Sequence, residues 1–323
     1  MRAIFKSLFS INPVSLTLCT ILIVIALFLL KVTILDLIEL KTYDLRFLSR
    51  GPLPPTPAIV IAAIDEKSLD SEGRWPWPRA KIAALVDIVS RDGAKVIGFD
   101  IGFLEADENS QLGLINQFSQ KVDAQYGKHS RLAGFIEESK KKADNDLALA
   151  EAIKNSSAVV VLGYFFHMSE SDLDYTIGQN EIDKQIERIS NSKYPFVLYE
   201  GQVTDTVPFI KAYAPESNLK IFTDAAASSG YFTLQSDEDG VLRWMPLAIQ
   251  YGEDLFPPLS VLCAWHYLDK PQLMVNVGKY GVEGIQMGER FIPTDESGQM
   301  LINYLGPPKT FPYLSAGDIL SGE

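Results

Sequence analysis

The pattern of apolar and polar positions changes period several times along the chain, and each change marks an element. No charged residue stands between Ser7 and Leu30. These 24 positions make roughly 36 Å of helix, enough to cross a hydrocarbon core of about 30 Å. The pattern predicts a membrane helix over 13–34, in contact with lipid through 13–32, after a short N-terminus at 1–12. Arg2 and Lys6 precede the run and set that N-terminus on the cytoplasmic side. The run is too long for a signal-peptide core and has no small-x-small cleavage site, so it reads as an uncleaved anchor.

A helical pattern continues through Ile34-Leu35-Asp36-Leu37-Ile38-Glu39-Leu40. Apolar positions 34, 37, 38 and 45 form either a seam with a second copy of the chain or a face packed on its own domain. Gly51-Pro52-Leu53-Pro54-Pro55-Thr56-Pro57 is a stiff connector, so 35–57 is a juxtamembrane helix and linker, and the main domain runs over 58–323.

That domain opens with a β-α-β pattern. Ala58 to Ile64 is uninterrupted apolar, as a strand covered on both faces is. Pro78 suits a first helical turn, Ile82, Leu85, Val86 and Val89 follow at helical spacing, and Gly93 is placed to cap. Ala94 to Leu104 and Ala158 to Phe166 are two more apolar strands, separated by a polar, partly helical insertion at 105–142 and a helix over Asp144 to Asn155. Strands alternating with helices predict a largely parallel sheet. Residues 167–226 are polar and weakly patterned and read as a surface insertion. Gly230 to Gln235 and Val241 to Tyr251 flank Ser236-Asp237-Glu238-Asp239-Gly240 like the arms of a hairpin. A helix over Pro257 to Leu268 follows, then short strands from Leu273 to Tyr304. The fold class is therefore α/β: an N-terminal transmembrane helix, then a mixed α/β domain that becomes β-rich towards its C-terminus.

Charge narrows the function. The chain carries a formal −12, and with five cations and three acids in 1–46 the remainder holds −14. Such a surface excludes nucleic acid as a partner, because phosphate contacts need clustered cations. Cys19 lies in the apolar run and Cys263 stands alone beyond it, so no disulfide framework exists within one chain. His129, His167 and His266 fit no common zinc spacing. No metal, cofactor or catalytic residue is expected, and this chain alone reads as no enzyme. Asp237-Glu238-Asp239-Gly240 resembles the start of a calcium loop but lacks the later glutamate. Lys140-Lys141-Lys142 reads as a solvated helix face.

The most distinctive segment is Gly73-Arg74-Trp75-Pro76-Trp77-Pro78-Arg79. Each proline fixes its own φ and restricts the residue before it. The loop is expected above two adjacent parallel strands ending at Asp65 and Asp100, where α/β sheets bind ligands. Asp65, Arg74, Trp75, Trp77, Arg79 and Asp100 are thus the candidate ligand-binding residues, with the tryptophans as a wall and an arginine as an anion anchor. In the competing reading Asp65 caps the segment Glu66-Lys67-Ser68, the arginines clamp Asp65 and Asp100, and the loop closes the rim of the sheet.

Several segments together resemble the CHASE type 2 family: Tyr43-Asp44-Leu45-Arg46-Phe47, Ile64-Asp65-Glu66-Lys67-Ser68-Leu69, the tryptophan–proline loop, Ala94 to Asp100, Asp237-Glu238-Asp239-Gly240-Val241-Leu242-Arg243, and Ile302-Asn303-Tyr304-Leu305-Gly306-Pro307-Pro308. The resemblance covers roughly 40–323. It implies an extracytoplasmic sensor domain, as found ahead of bacterial adenylate or guanylate cyclases, histidine kinases and serine/threonine kinases. A small-molecule or peptide signal, a bacterial inner-membrane location with a periplasmic main domain, and an effector absent from this chain are then expected. Members of the family continue past the position of Leu320 into another core strand, membrane helices and the effector, so the domain is expected to be incomplete at its C-terminus. Two other functions compete: an extracytoplasmic enzyme using Asp65 and Asp100, and a ligand-free dimerisation module.

Overall fold

The computed structural model describes residues 13–29, 33–108, 110–126, 132–173, 177–201, 207–237 and 239–322. The expected cytoplasmic segment 1–12 and part of the expected anchor, 30–32, lie outside them, as do the side chains of 33–36. The chain divides into two compact units.

The smaller unit comprises Met1–Thr56, Ser236–Val241 and Asn303–Thr310. Its helices are α1 (Pro13–Leu29) and α2 (Thr33–Arg50). Helix α1 has no buried residue. At 17 residues it is about 25 Å long, and among the described residues no helix is long and apolar enough to cross a membrane. Helix α2 runs on through Tyr43 to Phe47, past the helical pattern read as far as Leu40, and stops at Gly51, whose φ of 73° precedes Pro52.

The larger unit comprises Pro57–Gln235, Leu242–Ile302 and Phe311–Glu323. Its elements run β1 (Ile61–Ala63), α3 (Glu66–Glu72), α4 (Arg79–Arg91), β2 (Val96–Phe99), α5 (Ser110–Tyr126), α6 (Ala133–Ala143), α7 (Asn145–Asn155) and β3 (Val159–His167). Next come α8 (Gln179–Ile189), β4 (Phe196–Tyr199), β5 (Ile210–Lys211), β6 (Ala214–Glu216), α9 (Lys220–Thr223) and β7 (Ser228–Tyr231). The C-terminal part holds β8 (Trp244–Pro246), β9 (Ile249–Tyr251), β10 (Asp254–Phe256), α10 (Leu259–Tyr267), β11 (Leu273–Gly278), β12 (Gly281–Met287), β13 (Arg290–Pro293), β14 (Gln299–Leu301), β15 (Tyr313–Ser315) and α11 (Ala316–Ser321).

Strands β2 and β3 are parallel neighbours as expected, and β7 joins them as a third parallel strand, with β6 antiparallel to the far end of β3. Helices cover both faces. Ile97, Phe99, Val160 and Leu162 pack with the apolar stripes of α4 and α7. On the other side Gly98 admits α10 so closely that a Cβ there would lie 2.6 Å from Cys263 Sγ. A second sheet, β13-β12-β11-β4, is antiparallel except for the parallel β11–β4 pair, and Val275, Val277, Ile285 and Met287 fill its inner face.

Four expectations are corrected. Strand β1 pairs in parallel with β15 and makes no ladder with β2, so Asp65 and Asp100 do not end neighbouring strands. The Ala58–Ile64 run is also not covered on both faces, because Ile59, Val60 and Ile61 are all exposed. The hairpin across 236–240 does not form: β7 pairs with β3, while β8 pairs with β14. The turn itself survives on local bonds, Asp237 N to Val241 O and Gly240 N to Asp237 O, each 2.9 Å. Finally, 167–226 is not a surface insertion. It contributes β4, β5 and β6 to three separate sheets, and α8 buries Ile182 and Ile189.

Candidate functional site

The tryptophan–proline loop splits into a buried half and an exposed half. Trp77 is 1% exposed, packs in the main core and donates from Nε1 to Gly73 O at 2.8 Å. A buried indole needs such a partner for its N–H. Lys81 lies over the same ring at 5.3 Å while bonded to Glu72. Trp75 is 40% exposed and touches Trp77 at a centroid distance of 6.1 Å. The Trp75–Pro76 bond is cis.

Helix α4 begins at Arg79, one residue later than expected, and Pro78 offers no side-chain cap. The cap comes from elsewhere: Asp107 Oδ2 accepts from Arg79 N at 3.2 Å and from Asn145 Nδ2 at 2.6 Å. Asp107 N donates in turn to Asp146 Oδ2 at 3.1 Å. The Arg79 guanidinium lies 4.9 Å from the centroid of the Phe103 ring, with Nε 3.8 Å from Asp146. Burial is the largest influence on the Asp146 carboxyl and raises its pKa, which Arg79 partly offsets. Arg79 therefore ties the loop to the start of α7, not to Asp65 or Asp100.

Asp65 is committed as well. Its Oδ1 accepts from Ser68 N at 3.0 Å, Ser68 Oγ at 2.8 Å and Ser315 Oγ at 2.7 Å. Ser68 Oγ then receives Gly317 N at 2.9 Å. One carboxylate thus caps α3 and fastens the ends of β1 and β15 together. The bonds, that from Ser315 first, hold its pKa down at about 2. Beyond the end of β2, buried Asn218 accepts from Phe103 N at 2.6 Å and donates to Gly163 O at 2.8 Å. Of the six candidates, Asp65, Trp77 and Arg79 hold the fold, whereas Arg74, Trp75 and Asp100 are exposed. The structure assembles no pair of acids from Asp65 and Asp100.

Sequence reasoning placed Ser68 in the segment that Asp65 caps, but missed Asp107, Asp146, Asn218, Ser315 and the fully buried Arg243. Asp107 and Asn218 had no local signal, since their partners lie far away in sequence. Ser68 had one, which the capping reading used: it stands three residues after Asp65.

A second cluster lies in the smaller unit, on α2. Lys41 Nζ meets Asp239 Oδ2 at 2.8 Å, which raises the lysine pKa. Arg50 donates to Asn303 Oδ1 at 2.6 Å and also to Tyr304 O. Phe47 stacks edge-on with Tyr304 at 6.5 Å, and Leu53 N donates to Leu305 O at 2.7 Å. Segments of two motifs, 198 to 254 residues further along the chain, therefore converge on the helix that carries a third.

No curated protein and no solved structure matches this chain. The CHASE2 domain family matches residues 19–322, which take in α2, the tryptophan–proline loop and both segments that grip the helix. CHASE2 domains are extracytoplasmic sensor domains of signalling proteins and are not themselves catalytic. The chain belongs to the CHASE2 domain family.

Proposed function

We propose that the chain is the input module of a membrane-anchored bacterial signalling protein, held by the apolar segment 13–34 with its main domain on the periplasmic side. The effector, a cyclase or a kinase, lies outside this chain. Binding of a small molecule or peptide to the main domain shifts α2. The observation that carries this reading is the convergence on α2: Asp239, Asn303, Tyr304 and Leu305 all reach α2 or the connector just after it. Their segments join the main domain beside β8 and β14, which pair with each other. A ligand shifts such a linkage only by binding its two states with different affinity. Arg74, Trp75 and Asp100 are the residues left to meet a ligand, with Asp65, Trp77 and Arg79 as their supports. Ile38 and Leu45, exposed on α2 at a spacing of one heptad, join a second copy.

Fractionation of cells expressing the full chain tests the anchor. The chain should resist extraction from membranes with alkaline carbonate and be digested by protease added from the periplasmic side. Removal of 13–29 should release it. Recovery of the intact chain in the soluble fraction would overturn the reading.

A further inference from the structure

We propose that the helical pair α5–α6 docks on the surface of a bilayer rich in anionic lipid. Helix α5 buries Ser119 and Val122 along one stripe, with Leu112 and Ile115 half-buried beside them. It leaves a second apolar stripe in solvent: Leu114 and Phe118, 65% and 55% exposed, with Lys121 one turn further on. Helix α6 buries Ile136, while Phe135 is 70% exposed and Leu132 precedes the helix, also exposed.

The charge of this region opposes that of the protein. Among the described residues of the pair, Lys121, Lys140, Lys141 and Lys142 outnumber Asp123, Glu137 and Glu138, in a chain of net −12. Lys140 and Lys142 pair with Glu137 and Glu138 at 2.9 and 2.7 Å. These are surface pairs of little strength. Among the described residues Lys121 and Lys141 make no ion pair.

A purely apolar protein groove would explain the phenylalanines but not the cations. A polyanion would explain the cations but not the phenylalanines. The headgroup–acyl boundary takes both: it admits Phe and Leu to a shallow depth, while lysines meet anionic headgroups. The charge complementarity is thus with lipid. The inference rests on the proposed anchoring only in that an anchored chain has a bilayer within reach.

The test uses the full chain with Cys19→Ser and Cys263→Ala, and with Phe135→Cys carrying an environment-sensitive fluorophore. The chain is reconstituted into vesicles of phosphatidylcholine alone or mixed with phosphatidylglycerol. Docking predicts a blue shift and several-fold stronger quenching by brominated lipid only when phosphatidylglycerol is present, reversed by high salt. Lys121→Glu with Lys141→Glu should abolish both signals while the chain stays in the vesicles. A solvent-like fluorophore in both lipids overturns the proposal, as does equal shielding in detergent, which would indicate a protein contact. Failure of the chain to stay in the vesicles counts against the anchor alone. Flotation of the same chain with added phosphatidylglycerol vesicles then reads docking directly. If the Phe135 variant does not fold, a label at Phe118→Cys gives the same readout.

Discussion

Two tryptophans two residues apart have opposite duties, which mutation separates. Trp77 fills the core, so Trp77→Ala should cost about 3–5 kcal/mol, whereas Trp75→Ala should cost about 1 kcal/mol or less; denaturant melts of the two variants check this. The sequence carried the rigidity of the loop in its prolines but not the burial of one ring, since burial depends on α4 and α7 packing above it. The Asp65 cap was equally legible, because an acid three residues before a serine needs only local geometry. Its bond to Ser315, 250 residues away, was not. The sequence offered His266 only as one of three histidines with no common zinc spacing. It is buried against Ser228, with Nε2 2.9 Å from Oγ and with Lys270 the charged group acting on it. Burial, with a smaller effect of Lys270, lowers its pKa from 6.5 to about 4. Over that window the unfolded chain binds the proton and the folded chain does not, so stability falls as pH drops from 6.5 towards 4. His266→Gln should flatten that part of a plot of thermal midpoint against pH. Asp65 acts in the lower range: its contribution is present above its ordinary pKa of 3.8 and is lost as pH falls through about 2.

At the scale of elements, the runs after Ala143 were read better than those before it, where the expected strands Ala58–Ile64 and Ala94–Leu104 shrink to Ile61–Ala63 and Val96–Phe99. The strand from Val159, the helix after Asp144 and the antiparallel strands from Leu273 onward all stand within a residue or two of their expected places, apart from the last of them. Pairing was the part hidden. An apolar run announces a strand but not its neighbour, which is how β1 came to be expected beside β2. Strand β4 has four residues, too few for a period to register, and only its partner β11 makes it a strand. The grip on α2 was invisible for the same reason, although each motif within it was noticed. It can be tested at this scale. Lys41→Asp and Asp239→Lys should each speed hydrogen exchange of the α2 amides, and the double exchange should restore protection. A coupling of up to about 1 kcal/mol is expected for a pair at the surface.

For the molecule as a whole, membership of a sensor family follows from motifs dispersed along the sequence, and the fold explains their dispersal. Some hold the rim of the main domain, and others meet at α2. The smaller unit is sewn from three stretches of chain, which cross into the larger unit at 56–57, 235–236, 241–242, 302–303 and 310–311. The proline-rich connector therefore looks like a natural place to cut but is only one of five crossings. A soluble fragment begun at Pro57 would keep the turn around Asp239 and the segment around Tyr304 while discarding the helix they hold. Such a fragment should show rapid exchange and early proteolysis at 236–241 and 303–310, and keeping 33–56 should suppress both.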